Sequence, residues 1–312
     1  MDAGAPPRMT TPAFSVVVPT CDRSPALAEL LERLRPERLS MSPDSYELIV
    51  TDDGVTGASA ELVRARFPSV RFYAGPRRGP AANRNYGASR ATGAWLVFVD
   101  DDCQPTEGWL RAIAAEVAAR PLDVVEGRIV APDKTTSLFR RDVENLHGDC
   151  FWSANLAVRR EFFERIGGFD EDFLQAGGED LELAHRFRTC GARTSFCHDA
   201  VVNHPSHLMT WRALLEFTFR IRWHALYLLK TRQTLPDDAP LWKVVPHDVI
   251  AECMMLLRTS WTTARSLSRD RQITALMRMV LNWTLFPVLL PYKIYWDVRF
   301  RRMLMSQPCA DR

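Results

Sequence analysis

Between residues 14 and 102, four short apolar runs alternate with helical stretches, and three of those runs end in polar clusters. Phe14-Ser15-Val16-Val17-Val18 reads as a strand ended by Pro19, with Thr20-Cys21-Asp22 beyond it. Leu48-Ile49-Val50-Thr51 leads into Asp52-Asp53-Gly54, and Trp95-Leu96-Val97-Phe98-Val99 leads into Asp100-Asp101-Asp102. Val70 to Ala74 is the remaining strand. Ser24 followed by Pro25 is a helix start, because a cap residue precedes a proline whose fixed φ suits the first turn. Leu27, Leu30, Leu31 and Leu34 then fall at i, i+3, i+4 and i+7 and make one apolar face. Ala58 to Phe67 and Pro80 to Thr92 also read as helices. Such alternation predicts an α/β fold, a mostly parallel twisted sheet with helices on both faces. Ligands bind such sheets at the carboxyl ends of the strands, where all three polar clusters fall.

Three adjacent carboxylates repel, and each raises its neighbours' pKa unless a cation or hydrogen-bond donors compensate. Asp100, Asp101 and Asp102 at a strand end therefore point to a bound divalent metal. Hard oxygen ligands suit Mg²⁺ or Mn²⁺, which commonly carry a substrate's phosphates. The structural alternative is a solvated acidic turn capping a helix that starts near Thr106.

Downstream, Val124 to Val130 and Phe151 to Val158 are expected strands, with a loop over 131–148. Glu161 to Ile166 is a short helix ended by Gly167-Gly168, and Asp180 to Cys190 is a helix stopped by Gly191. Arg193 to Cys197 and Val201 to His204 complete the strands. From Leu208 the pattern turns helical. We expect a disordered lead over 1–12, a catalytic domain over 13–204 and a helical region over 205–312. Seven scattered cysteines without a C-x-x-C pair argue against a disulfide framework or a zinc site, and fit a reducing cytoplasm. No apolar signal core opens the chain.

The segments Val17-Val18-Pro19-Thr20, Asp52-Asp53-Gly54, Gly79 to Asn85 and Asp100-Asp101-Asp102 together resemble family 2 glycosyltransferases of the GT-A fold. Asn155-Leu156-Ala157-Val158-Arg159, Gly167-Gly168-Phe169-Asp170 and Gly177-Gly178-Glu179-Asp180-Leu181 extend the likeness over residues 12–204. It does not clearly reach the last hundred residues. The resemblance implies an inverting transfer of a sugar from a nucleoside-diphosphate sugar. Asp102 would bind the metal and Asp100 the ribose or the metal shell, with Asp101 oriented by backbone donors. Pro19 and Thr20, with Asp52 or Asp53, would hold the base and ribose. A carboxylate can accept the imide N–H of uracil, favouring a uridine or thymidine donor. Arg84 would reach phosphate or sugar oxygens. Its neighbour Asn83 stands where the family often has alanine. Asp180 would be the general base, at a helix amino terminus that keeps a carboxylate ionised, with Glu179 binding acceptor hydroxyls. His204 would complete the metal shell, with His198 and His207 as alternatives. Phe151 and Trp152 would stack on a sugar or pack in the core.

The charge is unevenly spread. Residues 205–312 carry 16 basic and 8 acidic side chains, against 24 and 30 in residues 1–204. Arg212, Arg220 and Arg222 lie in the first helical stretch, and Arg258, Arg265 and Arg269 in 244–272. Met279 to Tyr292 is uncharged, too short for a membrane span, and is followed by Arg299, Arg301 and Arg302. These features suggest a peripheral helical region on an anionic inner membrane surface, or a homodimer contact. The acceptor would be a carbohydrate, lipid-linked or small-molecule hydroxyl. Nucleic acid is not expected as a partner, because the basic side chains occur with an apolar segment and without a recognition motif. Two other functions compete: a catalytically inactive membrane-associated interaction module of the same fold, and a sugar-phosphate nucleotidyltransferase. The latter would want a Gly-rich basic loop after the first strand, where this chain has Pro19-Thr20-Cys21-Asp22-Arg23.

Overall fold

The computed structural model describes residues 12–133, 140–210, 212–213, 216, 219–231, 287–288 and 290–304. The described residues up to 132 together with 143–205 form one compact unit, and the described residues from 133 to 142 and beyond 205 belong to a second.

The strands are β1 (Phe14–Thr20), β2 (Tyr46–Asp52), β3 (Arg71–Ala74), β4 (Trp95–Phe98), β5 (Gln104–Pro105), β6 (Val124–Val130), β7 (Arg140–Arg141), β8 (Leu156–Arg159), β9 (Thr194–Asn203) and β10 (His207–Leu208). The helices of the first unit are α1 (Ser24–Arg33), α2 (Pro36–Leu39), α3 (Ala58–Arg66), α4 (Pro80–Ser89), α5 (Trp109–Ala119), α6 (Arg160–Arg165) and α7 (Glu179–Thr189). Eight strands form one sheet in the order β3-β2-β1-β4-β8-β6-β9-β5. β1 to β4 are mutually parallel, whereas β8 runs antiparallel to both its neighbours, β4 and β6. Thr20 pairs with Asp52 in register, and Phe98 ends β4 two residues before Asp100, so the three polar clusters share one edge of the sheet.

Every residue of β1 is buried, as expected where helices cover both faces of a parallel sheet. Side chains alternate across a strand. Val16, Val18, Val50 and Val97 accordingly join the leucines of α1 and Trp109 in one core. Val17, Leu96 and Phe98 join α4, α6 and α7 in the other. Phe98 is fully buried, and its ring lies 5.3 Å from Phe163 and 5.2 Å from Phe169. Phe98→Ala is expected to cost about 3–5 kcal/mol, read as a lower denaturant midpoint.

Several boundaries differ from the sequence reading. β1 continues through Pro19, which is buried opposite Thr51, to Thr20. The missing proline N–H is tolerated because the ladder between β1 and β4 has already stopped at Val17 opposite Phe98. Phe151 to Asn155 is not a strand: Phe151 has φ 52° and Ser153–Asn155 is a 3₁₀ turn, leaving only Leu156–Arg159 extended. The last two predicted strands are one, β9, with a register break against β6 that carries Cys197 opposite Gly127 and Val201 opposite Arg128.

In the second unit β7 and β10 pair antiparallel, so Leu208 ends a short strand and does not open a helix. The helix α8 (Ile221–Lys230) and a helix over 290–304 pack through aromatic rings, with Trp223 6.1 Å from Phe300 and Phe219 5.0 Å from Tyr292. Arg222 donates to the Tyr292 hydroxyl at 3.1 Å. Arg301 was expected on a basic flank, yet it is buried and its Nε donates to Asp297 at 2.6 Å. An i,i+4 carboxylate holds it inside the helix pair. Among the described residues no helix is long and apolar enough to cross a membrane. The 244–272 segment and most of Met279 to Tyr292 lie outside the described residues.

Candidate active site

The three parallel strand ends present their acids very differently. Asp101 is wholly buried and faces inward. Its Oδ2 accepts the Thr20 hydroxyl at 2.6 Å and Arg23 Nε at 3.0 Å, and its Oδ1 accepts Arg23 Nη2. Burial pushes its carboxyl up to about 6, against the pull of Arg23 and Thr20. Its partners are therefore side chains and not the backbone donors expected for it. Both of its oxygens are occupied by the protein, and so is the Thr20 hydroxyl. Together the Asp101 carboxylate and the Thr20 hydroxyl build the floor of the site.

Asp102 is turned the other way. Its Oδ2 accepts Arg23 Nη1 at 2.8 Å, and its Oδ1 lies 3.7 Å from His204 Nε2. His204 follows β9, is 6% exposed, and is fixed by its own N–H donating to Val130 O at 2.8 Å. Its Nδ1 is 3.2 Å from the Pro205 carbonyl. A carbonyl only accepts, so Nδ1 is the nitrogen that donates there, and Nε2 is the one turned toward Asp102. Two donors about 2.1 Å from a common ion can stand this far apart. A ligating imidazole ordinarily has its other nitrogen held in this way. The donor set therefore fits a divalent metal. With an imidazole beside carboxylate oxygens it fits Mn²⁺ better than Mg²⁺. A cleft of about 240 Å³ opens beside Asp102, lined by Pro25, Ala26, Glu29, Cys103, Gln104 and Pro205. Of the alternative histidines, His198 is exposed against the Phe196 ring, and His207 lies in β10 of the second unit.

At the end of β2, Asp52 Oδ1 accepts Asp22 N at 3.1 Å and Gly54 N at 2.7 Å. Asp53 accepts Arg77 N at 2.9 Å and Gly79 N at 3.1 Å. Each carboxylate thus shapes its own turn while retaining lone pairs for a further donor. Burial raises the Asp53 carboxyl above its ordinary range. Gly75 is required here, since a Cβ would sit 2.3 Å from Asp53 Oδ1 and 2.5 Å from Asn83 Oδ1.

Three successive residues of α4 tie the site together. Asn83 Nδ2 donates to the carbonyls of Thr20, at 3.2 Å, and Thr51, at 3.0 Å. It clamps the ends of β1 and β2, a role alanine could not fill. Arg84 is 5% exposed, donates to Asp100 at 2.7 Å, and reaches Glu179 at 3.5 Å. Burial alone would lower its pKa, but Asp100, Asp180 and Glu179 outweigh it and hold the guanidinium charged. Asn85 Nδ2 donates to Phe169 O at 2.8 Å, and its Oδ1 accepts Phe169 N at 2.8 Å, anchoring the Gly167-Gly168-Phe169-Asp170 segment.

Glu179 and Asp180 begin α7 and have separate fates. Glu179 is buried; Oε1 faces Arg84, and Oε2 accepts Gly177 N at 2.8 Å and Gly178 N at 3.0 Å. The carboxylate holds the turn that presents Asp180. Asp180 Oδ1 is buried with no hydrogen-bond partner. Burial first, and then the Glu179 charge, push its carboxyl up to about 7, with Arg84 and Ser153 opposing. Five acids (Asp100, Asp101, Asp102, Glu179 and Asp180) thus share two arginines, Arg23 and Arg84. A charge excess of this sign is relieved by protonation, the direction in which the Asp101 and Asp180 carboxyls are shifted, or by a bound cation.

Three supports were not anticipated from sequence. Arg23 is one. Glu126, on β6, is another: it is buried and accepts the backbone N–H groups of Asp149 at 2.7 Å, Cys150 at 2.9 Å and Phe151, so it shapes the loop ahead of Ser153. The third is Asn155, whose Oδ1 accepts Trp109 Nε1 at 2.9 Å and whose Nδ2 donates to Arg128 O and Ala200 O. Phe151 packs edge-on to Phe187 with centroids 5.6 Å apart, so the core reading of that ring is the one met.

The sequence profile described as "Glycosyl transferase family 2" matches residues 15–178. The chain belongs to this family. A second profile, "Glycosyl transferase family 21", matches residues 143–310, so the likeness to glycosyltransferases reaches through the last hundred residues after all. The chain is 25% identical over 226 residues to "Glycosyltransferase AglE" of Haloferax volcanii, covering 68% of this chain and 72% of that one. It is 29% identical over 221 residues to "Pre-mycofactocin glycosyltransferase" of Mycobacterium tuberculosis, covering 65% of this chain and 45% of that protein. The fold is that of the mannosyltransferase PcManGT from Pyrobaculum calidifontis, solved in complex with GDP-Man and Mn²⁺. The TM-score is 0.55 at 21% identity, over 96% of this chain and 89% of that one. The mixed, mostly parallel sheet is therefore a GT-A sheet, and the chain is a glycosyltransferase.

Proposed function

We propose that this glycosyltransferase moves a sugar from a nucleoside-diphosphate donor, of uridine or thymidine type, to an acceptor hydroxyl with inversion at the anomeric carbon. The observation that carries the reading is the arrangement around Arg84, with Asp100 on one side and the Glu179–Asp180 pair on the other. The donor's diphosphate belongs on the Asp100–Asp102 side, with Asp52 and Asp53 at the nucleoside end. Asp102 and His204 would hold a divalent ion, which supplies positive charge to the departing diphosphate. The Arg84 guanidinium adds a fixed, desolvated cation beside the reacting centre. Asp180 takes the acceptor's proton as the hydroxyl attacks. One base without a second nucleophile gives a single displacement, so the product anomer should be opposite to the donor's. Proton NMR of the product's anomeric coupling checks this; retention would contradict the role given to Asp180.

Attachment to an anionic membrane surface is supported by one face of the helix over 290–304 and the residues just before it. Val288, Pro291, Tyr295, Arg299 and Arg302 are all exposed and follow one another at helical spacing, apolar first and basic last. Such a face suits the boundary between acyl chains and headgroups. The full chain should pellet with vesicles containing anionic lipid and be only partly released by high salt, because apolar insertion resists screening. A chain that stays in the supernatant at low salt contradicts the attachment.

A further inference from the structure

We propose that Arg23 is a positioning residue for the metal ligand Asp102, and that the Thr20–Asp101–Arg23 network serves to leave one Asp102 oxygen facing His204. The inference rests on the reading of Asp102 and His204 as metal ligands. Arg23 stands at the amino-terminal cap of α1, where it grips both oxygens of Asp101 through Nε, at 3.0 Å, and Nη2. A planar guanidinium held at two points has its orientation fixed. Asp101 is in turn immobile: it is fully buried and accepts the Thr20 hydroxyl at 2.6 Å. With that plane fixed, the remaining nitrogen Nη1 takes Asp102 Oδ2 at 2.8 Å. Oδ1 is then the oxygen that lies 3.7 Å from His204 Nε2. Simple neutralisation of Asp102 would need no fork, and no second carboxylate placed in the core to hold it.

Positioning and plain neutralisation predict opposite results. Removing a cation beside a metal site strengthens the attraction of its carboxylates for a divalent ion. Losing the partner that orients a ligand weakens metal affinity by about 10- to 100-fold. Mn²⁺ binding to the full chain, followed by the EPR signal of the free ion, separates the two. Arg23→Gln and Arg23→Lys should each bind Mn²⁺ at least about tenfold more weakly than the unaltered chain. Lysine keeps the charge but cannot hold Asp101 and Asp102 together. Thr20→Val removes only the hydroxyl that steadies Asp101, and it should shift Mn²⁺ affinity in the same direction while melting near the parent temperature. Mn²⁺ affinity that rises or stays level in Arg23→Gln, or stays level in Arg23→Lys, would overturn the proposal. Should the Arg23 variants fail to fold, an unchanged affinity in Thr20→Val would do the same. An unaltered chain that binds no Mn²⁺ at all would instead remove the metal-site reading, and this inference with it.

Discussion

Asp102→Ala is expected to abolish sugar transfer while the protein stays folded. Asp102 is the member of the acidic trio that lies beside His204, whose Nε2 is turned toward it while Nδ1 meets the Pro205 carbonyl. Without it the donor's leaving diphosphate has no protein-held counter-charge on that side, a loss of several kcal/mol in the transition state and about a thousandfold or more in rate. The fold should survive, because Asp102 is partly exposed and the Thr20–Asp101–Arg23 network that floors the site does not depend on it. Circular dichroism beside product release measures both. Asp101→Ala should behave differently: it leaves Thr20 and Arg23 without their buried acceptor, so stability and activity should fall together. Normal turnover in Asp102→Ala, or full activity in EDTA, would remove the metal assignment.

Asp180→Asn should retain donor affinity and lose transfer. The amide keeps the carboxyl's shape but cannot take a proton, and general-base catalysis is worth about 10²–10⁴ in rate. The unaltered protein should show the complementary signature. Burial and the neighbouring Glu179 charge push the Asp180 carboxyl up to about 7, so it is ionised above that pH and protonated below it. Only the ionised form accepts a proton. The rate should therefore fall as pH drops through about 7 and rise to a plateau on the alkaline side, with nucleotide-sugar affinity moving less. Collapse of donor affinity in Asp180→Asn, with the remaining turnover normal, would place Asp180 in the donor site.

The parallel half of the sheet was legible because its signals are local. Four apolar runs, a leucine face at helical spacing and acids after the strands gave β1 to β4 and the shared edge. Beyond residue 130 the same signals weakened, because loop shape there is set by long-range contacts. Phe151 looks like the start of a strand, but its backbone is bent by a carboxylate more than twenty residues earlier, Glu126. The break within β9 is likewise imposed by its partner β6.

At the site, residue types were legible and allegiances were not. Asp100, Asp101 and Asp102 are indistinguishable in sequence, yet one pairs with Arg84, one is buried under Thr20 and Arg23, and one faces His204. Glu179 sits next to Asp180 but points back to the glycine turn, where the N–H groups of Gly177 and Gly178 just ahead of α7 are its donors. Arg23 was within reach of a charge count. Three acids at one sheet edge, with Glu179 and Asp180 at the start of α7, need more cations than Arg84 alone, and the basic residue next to Asp22 was the nearest to hand.

The central claim is that this edge of the sheet activates a nucleoside-diphosphate sugar with a divalent ion. The most direct measurement is release of free nucleoside diphosphate from a panel of nucleotide sugars incubated with the full chain and Mn²⁺. The account predicts release from one donor or a few, uridine or thymidine types first, and its loss in EDTA and in Asp102→Ala. No release from any donor in the panel, or release that EDTA and Asp102→Ala leave untouched, would contradict it.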